Sequence, residues 1–337
     1  MRQKILVTSK LLLLAVLLLI LSANAQDFQI RTRVDLVVVP VTVKGQDDQL
    51  ITGLQKEDFI LFEDGQRQSI TNFTIDPVPL SAAVLVDTGV GPESLSKVQQ
   101  TFPALAGAFS EFDEVAVYRF DKYVAKVIDF SNDMTVVETA MKTLRDIKPD
   151  ASPYPTSPRS PFSTPVPVIN GAPVIPPGQV GIMRTTPPNQ TKVLNDAIFT
   201  AASDLAKRLR DRRRIVLIVS DGRTGGNDHS FDETVKRLLD TGIQVYAVAL
   251  EPSVLGKLTT LSDYAKLTGG DAYFATSIQG IEKRYSRATE QARNQYVIGY
   301  LSNNKPPGDE PVLRNIEVKT ARAGFETIHR KGYFQYP

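Results

Sequence analysis

The sequence predicts an α/β fold in which a doubly wound, mostly parallel sheet is inserted into a smaller, discontinuous β-sandwich. Between residues 80 and 294, apolar strand-like runs alternate with amphipathic helical segments, which is the pattern of a parallel sheet covered by helices on both sides. Strand-like segments flank this region at 26–79 and 295–337, and each group is too small to bury both of its faces alone. Pairing the two groups into one sandwich gives both a core, so we predict domains with these boundaries.

Composition excludes several classes of function. The 337 residues carry 39 Lys and Arg against 37 Asp and Glu, so no charge excess favours nucleic acid or an anionic membrane as a partner. The chain has no cysteine, which excludes disulfides, thiolate metal sites and cysteine nucleophiles, and it has only two histidines. Most enzyme classes thereby lack their usual residues, and we expect a protein that is not an enzyme.

Residues 1–25 have the features of a secretory signal peptide. Arg2 and Lys4 precede an apolar run over 11–21, and the segment ends in an Ala-x-Ala pattern at Ala25. The run is short for a bilayer span, so we expect cleavage after Ala25, with an uncleaved N-terminal anchor as the alternative. We predict no membrane span after cleavage. An exported chain without disulfides is typical of bacteria, so we expect a periplasmic or extracellular bacterial protein.

The remaining elements follow in chain order. In the first flank, a β-branched strand at 34–43 precedes a strand at 58–66 that closes on an Asp-Gly turn, with 69–74 as its predicted hairpin partner. In the α/β region, the predicted strands lie at 82–86, 115–120, 125–130, 215–219 and 244–249. The predicted helices lie at 95–109, 136–144, 192–209, 234–239 and 258–267. In the second flank, strands are predicted at 295–301, 315–320 and 325–330.

A proline-rich segment at 148–188 interrupts the α/β region. It holds more than half of the chain's 22 prolines and has little periodic hydrophobicity. This composition favours an extended or disordered insertion, with an ordered polyproline arm along the sheet as the alternative. Because the insertion ends close to a predicted ligand-binding edge of the sheet, it is a candidate for gating that edge or for docking a partner, with a merely tolerated loop as the alternative.

Two of the predicted parallel strands lead into acidic loops at the edge where open α/β sheets bind ligands. The loop residues are Asp87, Thr88, Gly89 and Gly91 after the first of these strands, and Asp221 and Arg223 after the second. The Gly-x-Gly spacing does not favour a phosphate site, because the Asp87 carboxylate would repel phosphate. We predict that Asp87 and Asp221 meet at this edge.

These loops and several further motifs resemble those of a known family. The α/β region is similar to von Willebrand factor type A (VWA) domains, which implies a Rossmann-like sheet, and the mature chain resembles the bacterial VWFA-related family of acidobacterial type. The matching segments are VLVDT at 84–88, DFSND at 129–133, LNDAI at 194–198, IVSDG at 218–222, TGG at 268–270, QYVIGY at 295–300 and RKGYF at 330–334. The resemblance implies a protein-interaction module.

The resemblance also implies a metal site that this chain does not reproduce. VWA domains commonly hold a divalent cation in a metal-ion-dependent adhesion site (MIDAS), formed by an Asp-x-Ser-x-Ser loop, a Thr and a second Asp, and such oxygen ligands suit Mg²⁺. Asp87 and Asp221 match the two acidic positions, but Gly89 and Gly91 stand at the serine positions and offer no side-chain oxygen. We therefore expect a degenerate site, no resident cofactor and metal-independent binding of another protein.

The Thr position of the MIDAS falls on Lys192. Thr191 is one residue earlier and serves only if the loop is shifted, in which case Mg²⁺ binding remains the alternative. Two carboxylates on facing loops disfavour joint ionisation unless a positive charge lies between them. Our hypothesis is that the Lys192 ammonium, or else the Arg223 guanidinium, stands between Asp87 and Asp221 in place of a metal. The alternative is that Lys192 points into solvent.

Two other features have both a structural and a functional interpretation. His229 precedes Ser230 in a loop that we interpret as a helix cap, because a catalytic role would need a nucleophile and an orienting acid beside it. His329 is expected to be structural or exposed in a terminal strand. A basic run is interpreted as the end of a helix, with an anionic partner as the alternative; it comprises Arg208, Arg210, Arg212, Arg213 and Arg214.

The predicted function is therefore an exported interaction module for another protein of unknown identity. A structural component of the cell envelope is the second hypothesis. A hydrolase that uses Asp87 and Asp221 is the third, although no His, Cys or clear nucleophile accompanies these carboxylates in the sequence.

Overall fold

The computed structural model describes residues 36–147, 168–169, 172–173, 192–250 and 260–337. The predicted signal peptide and nearly all of the insertion at 148–188 lie outside the described residues. Two dipeptides of the insertion, Val168–Ile169 and Ala172–Pro173, pair as a short antiparallel ladder. Among the helices of the described part, none combines the length and the apolar character that a bilayer crossing needs.

The described residues form sixteen strands, seven α-helices and two short 3-10 helices, Gln46–Asp48 and Lys56–Asp58. The strands are β1 (Leu36–Lys44), β2 (Phe59–Glu63), β3 (Gln66–Gln68), β4 (Ile70–Thr74), β5 (Leu80–Asp87), β6 (Glu114–Phe120), β7 (Val124–Ser131), β8 (Val168–Ile169), β9 (Ala172–Pro173), β10 (Arg213–Ser220), β11 (Gln244–Ala249), β12 (Ala272–Phe274), β13 (Tyr296–Leu301), β14 (Val312–Thr320), β15 (Glu326–His329) and β16 (Gly332–Gln335). The helices are α1 (Pro92–Gln100), α2 (Phe102–Gly107), α3 (Met134–Arg145), α4 (Leu194–Leu205), α5 (Phe231–Thr241), α6 (Thr260–Thr268) and α7 (Ile278–Arg293).

The largest sheet has six strands in the order β12-β11-β10-β5-β6-β7. All neighbouring pairs are parallel except β6 and β7, which form an antiparallel hairpin in which β7 is the outermost strand of the sheet. All eight residues of β5 are buried, as expected for a central strand covered on both faces. One face packs against α1, α2, α3 and α7, and the other against α4, α5 and α6. The predicted doubly wound α/β sheet is confirmed.

Two four-stranded antiparallel sheets form a separate β region. Their orders are β15-β1-β13-β4 and β16-β14-β2-β3, so each sheet combines strands from both flanks of the chain. One apolar cluster joins the two sheets, with Val41 of β1, Leu61 of β2, Ile298 of β13 and Val318 of β14 among its members. The predicted pairing of the flanks is thus confirmed, while the exact domain boundaries stay a prediction.

The predicted hairpin partner of β2 is wrong. Asp64 and Gly65 both have positive φ, at 48° and 77°, which produces a two-residue turn and sets Glu63 opposite Gln66. The hairpin partner is therefore β3. The segment predicted for that role contains β4, which pairs with β13 in the other sheet.

The helix predicted at 95–109 is two helices. Pro103 has no N–H to donate to the preceding turn, and the chain passes through a non-ideal αR conformation at Thr101 (φ −89°, ψ −1°) between α1 and α2. The sequence prediction also lacks α7 and the short strands β3, β12 and β16. The buried apolar positions of α7 are Ile281, Tyr285 and two alanines, so its apolar stripe is narrow.

Candidate functional site

The site forms where parallel strands of the six-stranded sheet end. β5 and β10 are neighbours, and their register places Val86 opposite Val219. Asp87 is the last residue of β5, and Asp221 directly follows β10. Because both strands point the same way, the topology brings these two aspartates to the same edge, as the sequence predicts. We call this edge, with the loops 87–91, 121–123, 192–193 and 221–225, the rim.

The Lys192 ammonium lies between the two aspartates. Its Nζ donates to Oδ2 of Asp221 at 2.7 Å and to Oδ2 of Asp87 at 3.1 Å. The Lys192 side chain is 1% exposed, and those of Asp87 and Asp221 are 0% and 2% exposed. The structure therefore places the ammonium where the sequence hypothesis puts it, and the alternative of a solvent-directed Lys192 is wrong.

The backbone holds Lys192 from both sides. Its carbonyl accepts a hydrogen bond from Gly225 N at 2.8 Å, which connects it to the loop after β10. The next residue, Val193, donates to the carbonyl of Asp121 at 3.0 Å, which connects it to the loop after β6. The cation is thus fixed by the chain as well as by its two ion pairs.

Asp87 has further partners that complete a buried polar cluster. Oδ1 accepts a hydrogen bond from Gly89 N at 2.9 Å, and Oδ2 accepts one from the Ser220 hydroxyl at 2.6 Å. Burial raises the pKa of the Asp87 carboxyl from 3.8 to about 6, although Lys192 lowers it, and the Asp221 carboxylate raises it further. One lysine thus serves two buried carboxylates, and Asp87 takes up a proton more readily than an exposed aspartate does.

The two glycines at the MIDAS serine positions differ in their surroundings. A Cβ on Gly89 would lie 3.3 Å from Cε of Lys192 and 3.3 Å from Cβ of Asp121, whereas one on Gly91 would meet nothing within 4 Å. The absence of a side chain at Gly89 therefore leaves the space that the lysine stem uses. Thr88 directs its hydroxyl away from the cation, donating to the Phe120 carbonyl at 3.2 Å.

Arg223 lies outside the central ion pair. Its backbone N donates to Oδ1 of Asp221 at 3.0 Å, and its Nε is 3.7 Å from Oδ2 of the same residue. The Arg223 side chain is 59% exposed. Arg223 is therefore a surface group on the rim, and the alternative that it replaces the metal is wrong.

Sequence reasoning missed two rim residues on the β6–β7 turn. Asp121 accepts hydrogen bonds from Tyr123 N at 3.1 Å and from the Thr88 hydroxyl at 3.3 Å, so it connects the turn to the loop after β5. Tyr123 is 78% exposed. The only sequence signal for them is their place after a strand of the parallel sheet.

The rim does not fit a divalent cation. The space between Asp87 and Asp221 holds the Lys192 ammonium, and Gly89 and Gly91 contribute no oxygen ligand. Thr191, the alternative ligand, lies outside the described residues. Among the residues that the structure describes, no group of three or more His, Cys, Asp or Glu side chains is placed to hold a metal ion.

His229 has a structural role at the start of α5. Its Nδ1 lies 2.9 Å from Oδ1 of Asp196, and its ring stacks on Phe199 with centroids 3.8 Å apart. Ser230 accepts a hydrogen bond from Glu233 N and forms the capping box of α5, as the cap interpretation predicts.

The basic run does not end a helix, because α4 stops at Leu205 and the run continues into β10. Arg208 pairs with Glu114, and Arg212 and Arg214 donate to backbone carbonyls. Arg213 is buried in the first position of β10. Most of these guanidinium groups thus hold neighbouring segments together.

Comparisons with known proteins give structural likenesses only. No protein-family model and no curated protein matches the chain. Proximal thread matrix protein 1 from the mussel byssus is 13% identical over 64% of this chain, with a TM-score of 0.43. A second structure of that protein, with a zinc-occupied MIDAS motif, is 12% identical over 68% of this chain, with a TM-score of 0.43. In both cases the match spans 49% of the mussel chain.

A bacterial protein gives a similar result. BatB from Bacteroides thetaiotaomicron is 12% identical over 63% of this chain and 99% of its own, with a TM-score of 0.40. At these identities and TM-scores the likenesses carry no conclusion about what this chain binds.

Proposed function

We propose that this chain is a VWA-like module of an exported bacterial protein, and that its rim binds another protein without a metal ion and without catalysis. The observation that carries the proposal is the buried Lys192 ammonium, which contacts both Asp87 and Asp221. A metal would otherwise bridge these loops and accept a partner carboxylate as a ligand. With the cation supplied by the chain, binding has to use the surface around it.

The exposed side chains of the rim suit protein recognition. Tyr123 presents a large ring that is 78% exposed, and Arg223, in the loop after β10, has a side chain that is 59% exposed. Tyr and Arg are enriched among the residues that contribute most to protein–protein binding. The loops beneath them are held by the Asp121 and Lys192 contacts, so the surface is organised before a partner arrives.

The same geometry disfavours a hydrolase. Asp87 and Asp221 are buried and ion-paired with Lys192, so neither carboxylate reaches a substrate at the surface. His229, the nearest candidate base in the described loops, is engaged by Asp196 and Phe199.

The test compares two exposed aromatic residues at opposite edges of the sheet. Tyr123→Ala changes the rim, and Phe112→Ala changes a ring that is 65% exposed before the start of β6. The wild-type chain and both variants are used to capture proteins from an envelope fraction of the source organism, with and without chelator. We expect the same captured proteins with wild type and Phe112→Ala in both conditions, and their loss with Tyr123→Ala. Capture that depends on a divalent ion, or that survives Tyr123→Ala, contradicts the proposal.

A further inference from the structure

A cleft lies at the other end of the parallel strands, away from the rim. The cleft has a volume of about 470 Å³ and lies between the β region and the starts of β10 and β11. At about 3.3 Å per residue, the eight residues of β10 separate it from the rim by roughly 23 Å. One wall is apolar and includes Leu36, Val38 and Val297. Leu36 and Val38 are 51% and 44% exposed despite their size.

The other wall of the cleft is strongly basic. Its charged lining residues are Arg210, Arg212, Arg213, Arg214, Arg330, Asp211 and Asp240. Asp240 is already bound to Lys236 and to the Tyr336 hydroxyl, each at 2.7 Å. Among the residues that the structure describes, the lining therefore carries more positive than negative charge.

Arg213 is the most buried of these arginines. It is 9% exposed, and Nη1 donates to the neutral side chain of Gln295 at 2.6 Å. Arg213 forms no ion pair within the described residues, and its Nε is buried there without a hydrogen-bond acceptor. Burial lowers the pKa of this guanidinium to about 10, which shows how poorly its charge is compensated.

Arg330, a partly exposed residue of the β region, also has a buried Nε. Its guanidinium lies over the Tyr333 ring at 5.6 Å, and in the described part of the chain it has no carboxylate partner and a buried Nε with no acceptor. Burial lowers its pKa as well. The buried Oε1 of Gln244, which also lines the cleft, has no donor among the described residues.

Buried charges without partners are expensive, and proteins usually pair them. Two arginines line one cleft and have no carboxylate partner among the residues that the structure describes, which indicates a missing anion. We propose that this cleft binds a small organic anion, a carboxylate or phosphate ester with an apolar body. Arg213 and Arg330 contact the anionic group, Gln244 accepts a hydrogen bond from the ligand, and Leu36 and Val38 cover its apolar part.

The test uses small probes on the full chain. Octyl phosphate, octanoate, inorganic phosphate and octyltrimethylammonium are titrated at matched ionic strength by calorimetry and by thermal unfolding. We expect octyl phosphate or octanoate to bind and to raise Tm, inorganic phosphate to bind at least ten times more weakly, and the cationic probe not to bind. No binding by either octyl anion, or equal binding of the cationic probe, overturns the proposal.

Variants then locate the site. Arg213→Gln and Arg330→Gln should each weaken binding of the better octyl anion at least tenfold, while Arg223→Gln on the rim should leave that binding unchanged.

Arg330→Met adds a measurement of stability that can be made without the ligand. Without anion it should raise Tm, because it removes an uncompensated buried charge, and it should abolish the rise that the anion causes. A lowered Tm with intact anion binding would show that Arg330 is structural and would refute its role. The Arg213 and Arg330 variants leave the rim intact, so their failure is separate from failure of the proposed function.

Discussion

A Cβ atom on Gly89 would lie 3.3 Å from Cε of Lys192. Two of the three departures from the MIDAS pattern, Gly89 and Lys192, are therefore physically linked: the lysine stem occupies space beside the position where a serine side chain would begin.

The first prediction compares the two glycines. Gly89→Ser should lower the free energy of unfolding by about 1–3 kcal/mol, because the new side chain overpacks a buried site that holds Lys192. Gly91→Ser is the matched control. Nothing lies within 4 Å of its Cβ position, and Gly91 is the N-cap of α1, where serine is favoured, so this variant should be neutral or slightly stabilised. Urea unfolding of both variants measures the change in the free energy of unfolding, and equal changes would contradict the contact between position 89 and Lys192.

The second prediction removes the cation. Lys192→Met keeps most of the side-chain volume and leaves Asp87 and Asp221 buried without a positive partner. The free energy of unfolding at neutral pH should fall by about 3–5 kcal/mol. Lys207→Met is the control, because its side chain is 74% exposed and its pair with Asp204 is a surface one, which should change stability by less than about 1 kcal/mol. A Lys192→Met variant as stable as this control would show that the buried pairs contribute nothing.

The sequence was sufficient to predict the centre of this site for specific reasons. Asp87 and Asp221 each follow a continuous apolar strand, and parallel strands of one sheet end at one edge. Lys192 precedes the LNDAI run at a spacing without a gap, so its position relative to the sheet could be counted. Contacts that depend only on where strands end and on short sequence spacings can be predicted from the sequence.

Other features depend on contacts between distant segments. β4 pairs with β13, more than two hundred residues later in the chain, and local pattern alone favoured the nearer strand β2. Tyr123 and Asp121 belong to the rim because the β6–β7 turn bends beside Thr88, which no periodicity indicates. The lack of a carboxylate partner for Arg213 among the described residues was also not predictable, because its surroundings come from both the sheet and the β region.

The third prediction concerns pH and two buried groups that act in opposite directions. Burial lowers the pKa of His329 from 6.5 to about 4, and its Nε2 accepts a hydrogen bond from Val318 N. The unfolded chain therefore binds a proton at higher pH than the folded chain does. The stability contributed by His329 is complete above pH 6.5 and is lost as the pH falls to about 4, a change of about 3 kcal/mol.

Asp87 has the opposite sign. Its raised pKa means that the folded chain takes up a proton near pH 6, while the unfolded chain does so near 3.8, so its contribution is present at low pH and lost as the pH rises from 3.8 to about 6. His329→Gln removes the His329 effect and leaves that of Asp87. Compared with wild type, the stability of this variant should decline more, or rise less, as the pH increases from about 4 to about 6.5. Urea unfolding across this range measures the two slopes, and parallel curves would refute the role of His329.

The last prediction restores the metal ligands. Neither excess Mn²⁺ nor chelator should change the Tm of the wild type, because the Lys192 ammonium stands between the two carboxylates. The triple variant Gly89→Ser, Gly91→Ser, Lys192→Thr supplies three hydroxyl oxygens and removes the internal cation. It should gain a Mn²⁺-dependent stabilisation of about 2.7 kcal/mol at a metal concentration 100 times the dissociation constant. Adding Asp221→Asn should weaken this gain, since a carboxylate ligand is lost.

In the triple variant the destabilisation caused by Gly89→Ser should also shrink, because the lysine stem is gone. A double-mutant cycle between positions 89 and 192 measures that coupling. Stabilisation of the wild type by Mn²⁺ to the same extent would mean that a metal binds without displacing a lysine, which contradicts the geometry of the rim.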